Sequence, residues 1–114
     1  MRKLRIFIVF TSVLFMFSCE SNTTQEIQGV VKNPTYSEHI ATVMNAKCVS
    51  CHSPSGKDDQ PYLENYEQVK DAIENGVLLC RIDGSCGPIM PQGGKMPQAT
   101  IDMIQLWKTN NYPN

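Results

Sequence analysis

Histidine is scarce in this sequence, which holds only two, and a basic stripe, an internal repeat and a convincing strand pattern are all missing. Nucleic acid wants a basic stripe, so it is excluded as a partner. With no strand pattern, the periodic segments that remain predict an all-α fold. A helix that crosses a bilayer needs about 20 apolar residues, and the longest apolar run here, residues 6–17, is only about a dozen. At 114 residues the chain is long enough for one ordinary domain and too short for two, so a single small core is expected.

The short apolar run follows a basic start, Met1-Arg-Lys-Leu-Arg5, which is the pattern of a signal peptide. It stops at Ser18-Cys19-Glu20, which resembles the lipobox of bacterial lipoproteins. That resemblance implies cleavage after residue 18 and lipidation of Cys19; an uncleaved anchor is the alternative. Either way the remainder is exported and tethered to a bacterial membrane, on an outer-membrane, periplasmic or surface face. Residues 19–33 are polar and aperiodic and read as the tether, and residues 34–114 form the domain. Arg2, Lys3 and Arg5 leave with the signal, so seven basic residues face eleven acidic ones, a net charge of −4. Such a balance suits a docking partner with a basic face, and equally suits simple solubility.

The five cysteines divide by position. Cys19 belongs to the anchor. Cys80 and Cys86 flank a short glycine-containing loop in a compartment where disulfides persist, so they pair or else remain as two buried thiols. Cys48 and Cys51 stand in C-V-S-C with His52 immediately after. Two thiols at this spacing can add across the two vinyl groups of a haem, and the next residue then lies beneath the iron as an axial ligand. Cys48, Cys51 and His52 therefore read as the attachment site of one covalent haem c.

Two rivals use the same thiols. A thioredoxin-like pair needs its cysteines at a helix N-terminus after a strand, and here a helical pattern precedes the motif. A zinc site recruiting Cys48, Cys51, Cys80 and Cys86 leaves His52 without a purpose.

Helical spacing places a first helix after Pro34, with Thr35 and Glu38 as a capping box and Tyr36, Ile40, Val43 and Met44 on its apolar face. Residues 53–61 are loop. A second helix is expected over residues 66–75, capped by Asn65 and closed by a left-handed Gly76. Residues 77–97 read as irregular, rich in glycine and proline. A last helix spans residues 98–110, with Ile101, Ile104, Leu106 and Trp107 as its apolar stripe. The irregular stretch carries two candidates for a second axial ligand, Met90 and Met96, since a thioether is a soft donor that favours Fe(II). Met44 and Met103 lie on helical faces and read as core filling; Met16 belongs to the signal.

The order of capped helix, CVSCH, second helix, cysteine loop, G-P-I-M-P-Q-G-G-K-M-P and Trp-containing last helix resembles small monohaem cytochromes c. It is most similar to the single-domain, lipoprotein-like kind, over about residues 35–112. The resemblance implies about three helices and irregular loops wrapped around the haem, with the first and last helices crossing over it. Tyr36, Ile40 and Met44 would then meet Ile104 and Trp107, with His39 facing solvent. Met90, the methionine before P-x-G-G, would be the distal ligand, and Met96 would pack on the haem. Pro61 would accept the His52 Nδ1–H, or else simply end a loop, while Tyr62 and Leu63 pack on the porphyrin.

The expected function is single-electron transfer between a redox donor and acceptor by a monomer that is not an enzyme, because both axial positions are filled by protein. Two alternatives stay open. One is a haem-based sensor or peroxidase-like protein with a labile sixth ligand; the other is a zinc-stabilised structural lipoprotein.

Overall fold

The structure, a computed structural model, describes residues 31–114. The leader, Cys19 and most of the tether lie outside these residues. The described chain is all helix and loop, and none of its helices is long and apolar enough to cross a membrane.

A π-helical turn, Tyr36–Ile40, runs directly into α1, Ala41–Lys47. The turn forms because Thr35 is extended and its carbonyl accepts the Ile40 N–H at 3.2 Å. Thr35 Oγ1 accepts the Glu38 N–H at 3.4 Å, which is one arm of the expected capping box. The other arm comes from a different residue: the Thr35 N–H donates to His39 Nδ1 at 3.3 Å. With the wider π turn, His39 rather than Glu38 comes back over the cap. His39 thus faces solvent only in part, its side chain being 27% exposed.

Helix α2, Tyr66–Glu74, starts where the chemistry of its cap requires. Asn65 Oδ1 accepts the Gln68 N–H at 3.0 Å while Gln68 Oε1 accepts the Glu64 N–H at 2.8 Å, so two orphan donors are satisfied. Val69, Ala72 and Ile73 form its buried stripe. The helix does not close on a left-handed Gly76. Asn75 ends it in the right-handed region (φ −109°, ψ −9°), and Gly76 is there for space, since a Cβ at that position would lie 2.6 Å from the Ala72 carbonyl oxygen.

The left-handed glycine stop falls eight positions later, at Gly84 (φ 84°), and closes a helix that the residue pattern does not announce: α3, Leu78–Asp83. Its buried residues are Leu78 and Ile82, one turn apart. Helix α4, Gln98–Thr109, buries Ile101, Ile104 and Trp107, while Leu106 on its expected stripe is only half-buried.

After α4 the chain reverses through Asn111 and Tyr112, both left-handed (φ 63° and 58°). This reversal carries Pro113 back over the start of the domain. The Pro113 carbonyl accepts both the Trp107 indole N–H at 2.8 Å and the Tyr36 backbone N–H at 2.9 Å. Tyr66 Oη donates to the Tyr112 carbonyl at 2.9 Å. Three tyrosine rings pack around Trp107, with centroids of Tyr36, Tyr66 and Tyr112 at 5.8, 5.8 and 4.9 Å from its own. Such edge and tilted contacts add about 0.5–1.5 kcal/mol each beyond area burial. First helix, α2 and last helix are thus joined at one aromatic node, and Ile40, Met44, Val69, Ile101, Ile104 and Trp107 are buried completely or nearly so.

Candidate functional site

Helix α1 ends at Cys48, whose N–H donates to the Met44 carbonyl at 2.8 Å. The chain then tightens, because the Cys48 carbonyl accepts the N–H groups of both Cys51 and His52, at 3.0 and 2.9 Å. Two thiols and an imidazole are thereby held on one helical end by backbone bonds alone. Behind them Ser53 is buried and donates its hydroxyl to the Val49 carbonyl at 2.8 Å. The polar loop that follows is folded tightly against this turn: a Cβ on Gly56 would lie 2.5 Å from the Ser50 carbonyl oxygen. It returns with the Asp59 N–H on the Cys51 carbonyl at 3.1 Å and the Leu63 N–H on the His52 carbonyl at 2.9 Å.

That return places two carbonyls beside the imidazole. His52 Nδ1 lies 2.9 Å from the Pro61 carbonyl oxygen and 3.2 Å from that of Asp59. Both neighbours are acceptors, so Nδ1 carries the proton and Nε2 keeps its lone pair. The ring is thereby oriented.

Cys48, Cys51, His52, Pro61 and Leu63 line a cavity of about 680 Å³, and Met90 and Met96 line the same cavity. Cys48 and Cys51 are free thiols. Burial, together with the neighbouring Cys51, pushes the Cys48 thiol up to about 11, so it is fully protonated at neutral pH. Met96 and Leu63 are buried at 5% exposure each, whereas Met90 is half-buried. Cys80 and Cys86 are bonded to each other, with their Cα atoms 5.2 Å apart. Cys19 lies outside the described residues.

Several residues stand differently from the expectation. Tyr62 does not line the cavity; its hydroxyl is drawn away to Asp58 Oδ1. Met44 is core, at 1% exposure, and also forms part of the cavity wall. Leu78, Ile82 and Arg81 of α3 line the cavity as well, and sequence reasoning missed them with the helix that carries them. The i, i+4 spacing of Leu78 and Ile82 before a glycine was the signal available. Met103 is half-buried against the core, away from the cavity.

The wall has its own charge. Lys47, Lys57 and Arg81 face a single carboxylate, Asp59, a net of +2. Elsewhere the described residues hold four basic and eight acidic side chains. Among the described residues no three His, Cys, Asp or Glu side chains cluster to hold a metal ion. The chain matches no protein-family model, no curated protein and no solved structure.

Proposed function

We propose that the chain is an exported, lipid-tethered c-type cytochrome that carries single electrons between redox partners through one covalent haem c, in a cytochrome c-like fold. The observation that carries this reading is the meeting, on one cavity, of two free thiols, an imidazole tied at Nδ1 and a thioether. The cavity volume, about 680 Å³, lies within the roughly 300–1,000 Å³ of ordinary cofactor sites. Its apolar wall of Met44, Leu63, Leu78, Ile82 and Met96 suits a porphyrin face, and its net positive charge suits the two carboxylates of a haem.

In this reading Cys48 and Cys51 would hold the group covalently through their sulfurs, and His52 and Met90 would be its protein donors. When bound, the haem supplies the Fe(III)/Fe(II) couple. The chain contributes orientation: the Pro61 and Asp59 carbonyls fix the His52 ring. Leu63 and Met96 keep water from the cavity wall. With both an imidazole and a thioether of the protein available to the group, a carrier would be favoured over an enzyme.

The rival uses of the thiols fit less well. A thioredoxin-like pair draws its low thiol pKa from a helix N-terminus, and Cys48 and Cys51 follow the C-terminal end of α1. A four-cysteine zinc site would draw on Cys80 and Cys86, whose sulfurs are joined to each other. The acidic remainder of the surface disfavours nucleic acid, and the partners are taken to be redox proteins met by a tethered monomer.

Expression with haem-maturation machinery tests the reading. The processed chain should gain the mass of one haem and keep its colour through denaturing electrophoresis. A ferric iron–sulfur charge-transfer band should be present and should vanish in Met90→Ala. An unaltered mass would overturn the proposal, and a high-spin resting spectrum would move it to a sensor or peroxidase-like protein. Cys19→Ala should release the protein from the membrane fraction.

A further inference from the structure

The segment between α3 and Met90 is folded back onto α3 by contacts that converge on one residue, Arg81. Cys80 and Cys86 are covalently joined, and the Cys80 carbonyl accepts the N–H groups of Gly84 and Cys86 at 3.1 and 3.2 Å. Arg81 therefore sits inside a closed ring. Its own carbonyl accepts the Met90 N–H at 2.9 Å. Its guanidinium lies against Gly87, where a Cβ would come within 2.2 Å of the Arg81 nitrogen and where φ is +57°. Ile89 meanwhile packs over Gly84, its Cδ1 at 3.3 Å from where a Cβ would stand. Both glycines are left-handed, so the crossing needs residues without side chains.

Arg81 also lines the cavity, as does Met90. Met90 is only half-buried and is followed by Pro91, Gly93 and Gly94, and a Cβ on either of those glycines would meet nothing within 4 Å. On its C-terminal side the methionine thus has little to hold it. Its placement comes from the N-terminal side, through the ring.

We propose that the Cys80–Cys86 disulfide and Arg81 are positioning residues for the Met90 thioether: the ring fixes the Arg81 carbonyl, and the carbonyl fixes the methionine backbone. This rests on Met90 being the axial donor proposed above. Sulfur is a weak ligand, and holding its backbone in place lowers the entropy lost on ligation. Without the ring the thioether stays in the sequence and loses its hold on the iron.

The test uses full-length haem-loaded protein, with haem attachment read by intact mass in every sample. In ferric protein the charge-transfer band is followed as pH is raised until the methionine is displaced. For Cys80→Ser/Cys86→Ser the band should weaken, or its loss should move to lower pH, by about one unit for each tenfold weaker hold on sulfur. Gly87→Ala keeps the disulfide but strains the left-handed backbone between Cys86 and Met90 (φ +57°), so it should shift the transition in the same direction; it decides the matter if the double variant fails to fold. Val69→Ala, buried in the core and away from the cavity, should lower the melting temperature and leave the transition in place. Loaded variants with an unchanged band and transition would overturn the proposal, as would an equal shift in Val69→Ala. A wild-type chain without haem would instead overturn the cytochrome reading itself.

Discussion

Cys48 and Cys51 are three positions apart, yet only the first is held well below the surface. Its thiol, pushed up to about 11 by burial and by Cys51, exposes on the order of one part in a thousand as thiolate at pH 8. In chain expressed without haem, iodoacetamide at pH 8 should therefore label Cys51, with Cys48 following only as pH approaches 11. Peptide mass mapping reads this, and equal labelling at pH 8 would contradict it. The sign for stability follows: a thiol raised in the folded state contributes fully at neutral pH, and that contribution is lost as pH rises through about 11. Gly56 is the other telling residue. An added methyl group would meet backbone, 2.5 Å from the Ser50 oxygen, so Gly56→Ala should cost about 1–3 kcal/mol by denaturant titration. At this scale the meeting of Cys48, Cys51 and His52 was legible because the three lie within five residues, a spacing that one backbone turn brings together. Tyr62 was not, because a side chain's direction across a loop is set by what packs against it, whereas Met44, expected in the core from its helical face, is buried there.

Among the elements, those with a capping residue and two full turns of periodicity were readable. Asn65 marks the start of α2, and Asn65→Ala should lower stability by about 1 kcal/mol, measured as a shift in urea midpoint at constant slope. Helix α3 was hidden for a physical reason: at six residues it offers one apolar repeat, too little for a 3.6-residue period to stand out from a glycine- and proline-rich stretch. A helix this short is not stable by propensity. It is held by its glycine stop, by burial of Leu78 and Ile82 and by the bond between Cys80 and Cys86. Likewise the His39 arm of the first cap could not be read from Thr35 and Glu38, because the π turn advances the register by one residue.

For the molecule as a whole, stability is concentrated at the aromatic node, where the tail completes contacts made by three helices. Deleting residues 112–114 would strip the acceptors from the Trp107 indole, the Tyr36 N–H and the Tyr66 hydroxyl. A loss on the order of 3 kcal/mol or more is expected, since a buried donor without a partner costs about 1–3 kcal/mol. Thermal unfolding of the truncated chain is the check. No local pattern announces this closure: Asn-Asn-Tyr-Pro reads as a frayed end, and only the left-handed pair at Asn111 and Tyr112 turns it inward. The Pro113 carbonyl, bonded to the Tyr36 N–H at 2.9 Å, also brings the two ends of the domain together. A brief linker could therefore splice them without disturbing the aromatic node. By the same token, a fusion partner at the C-terminus would crowd the start of the domain at Tyr36, so a label is better carried on the far surface of α2.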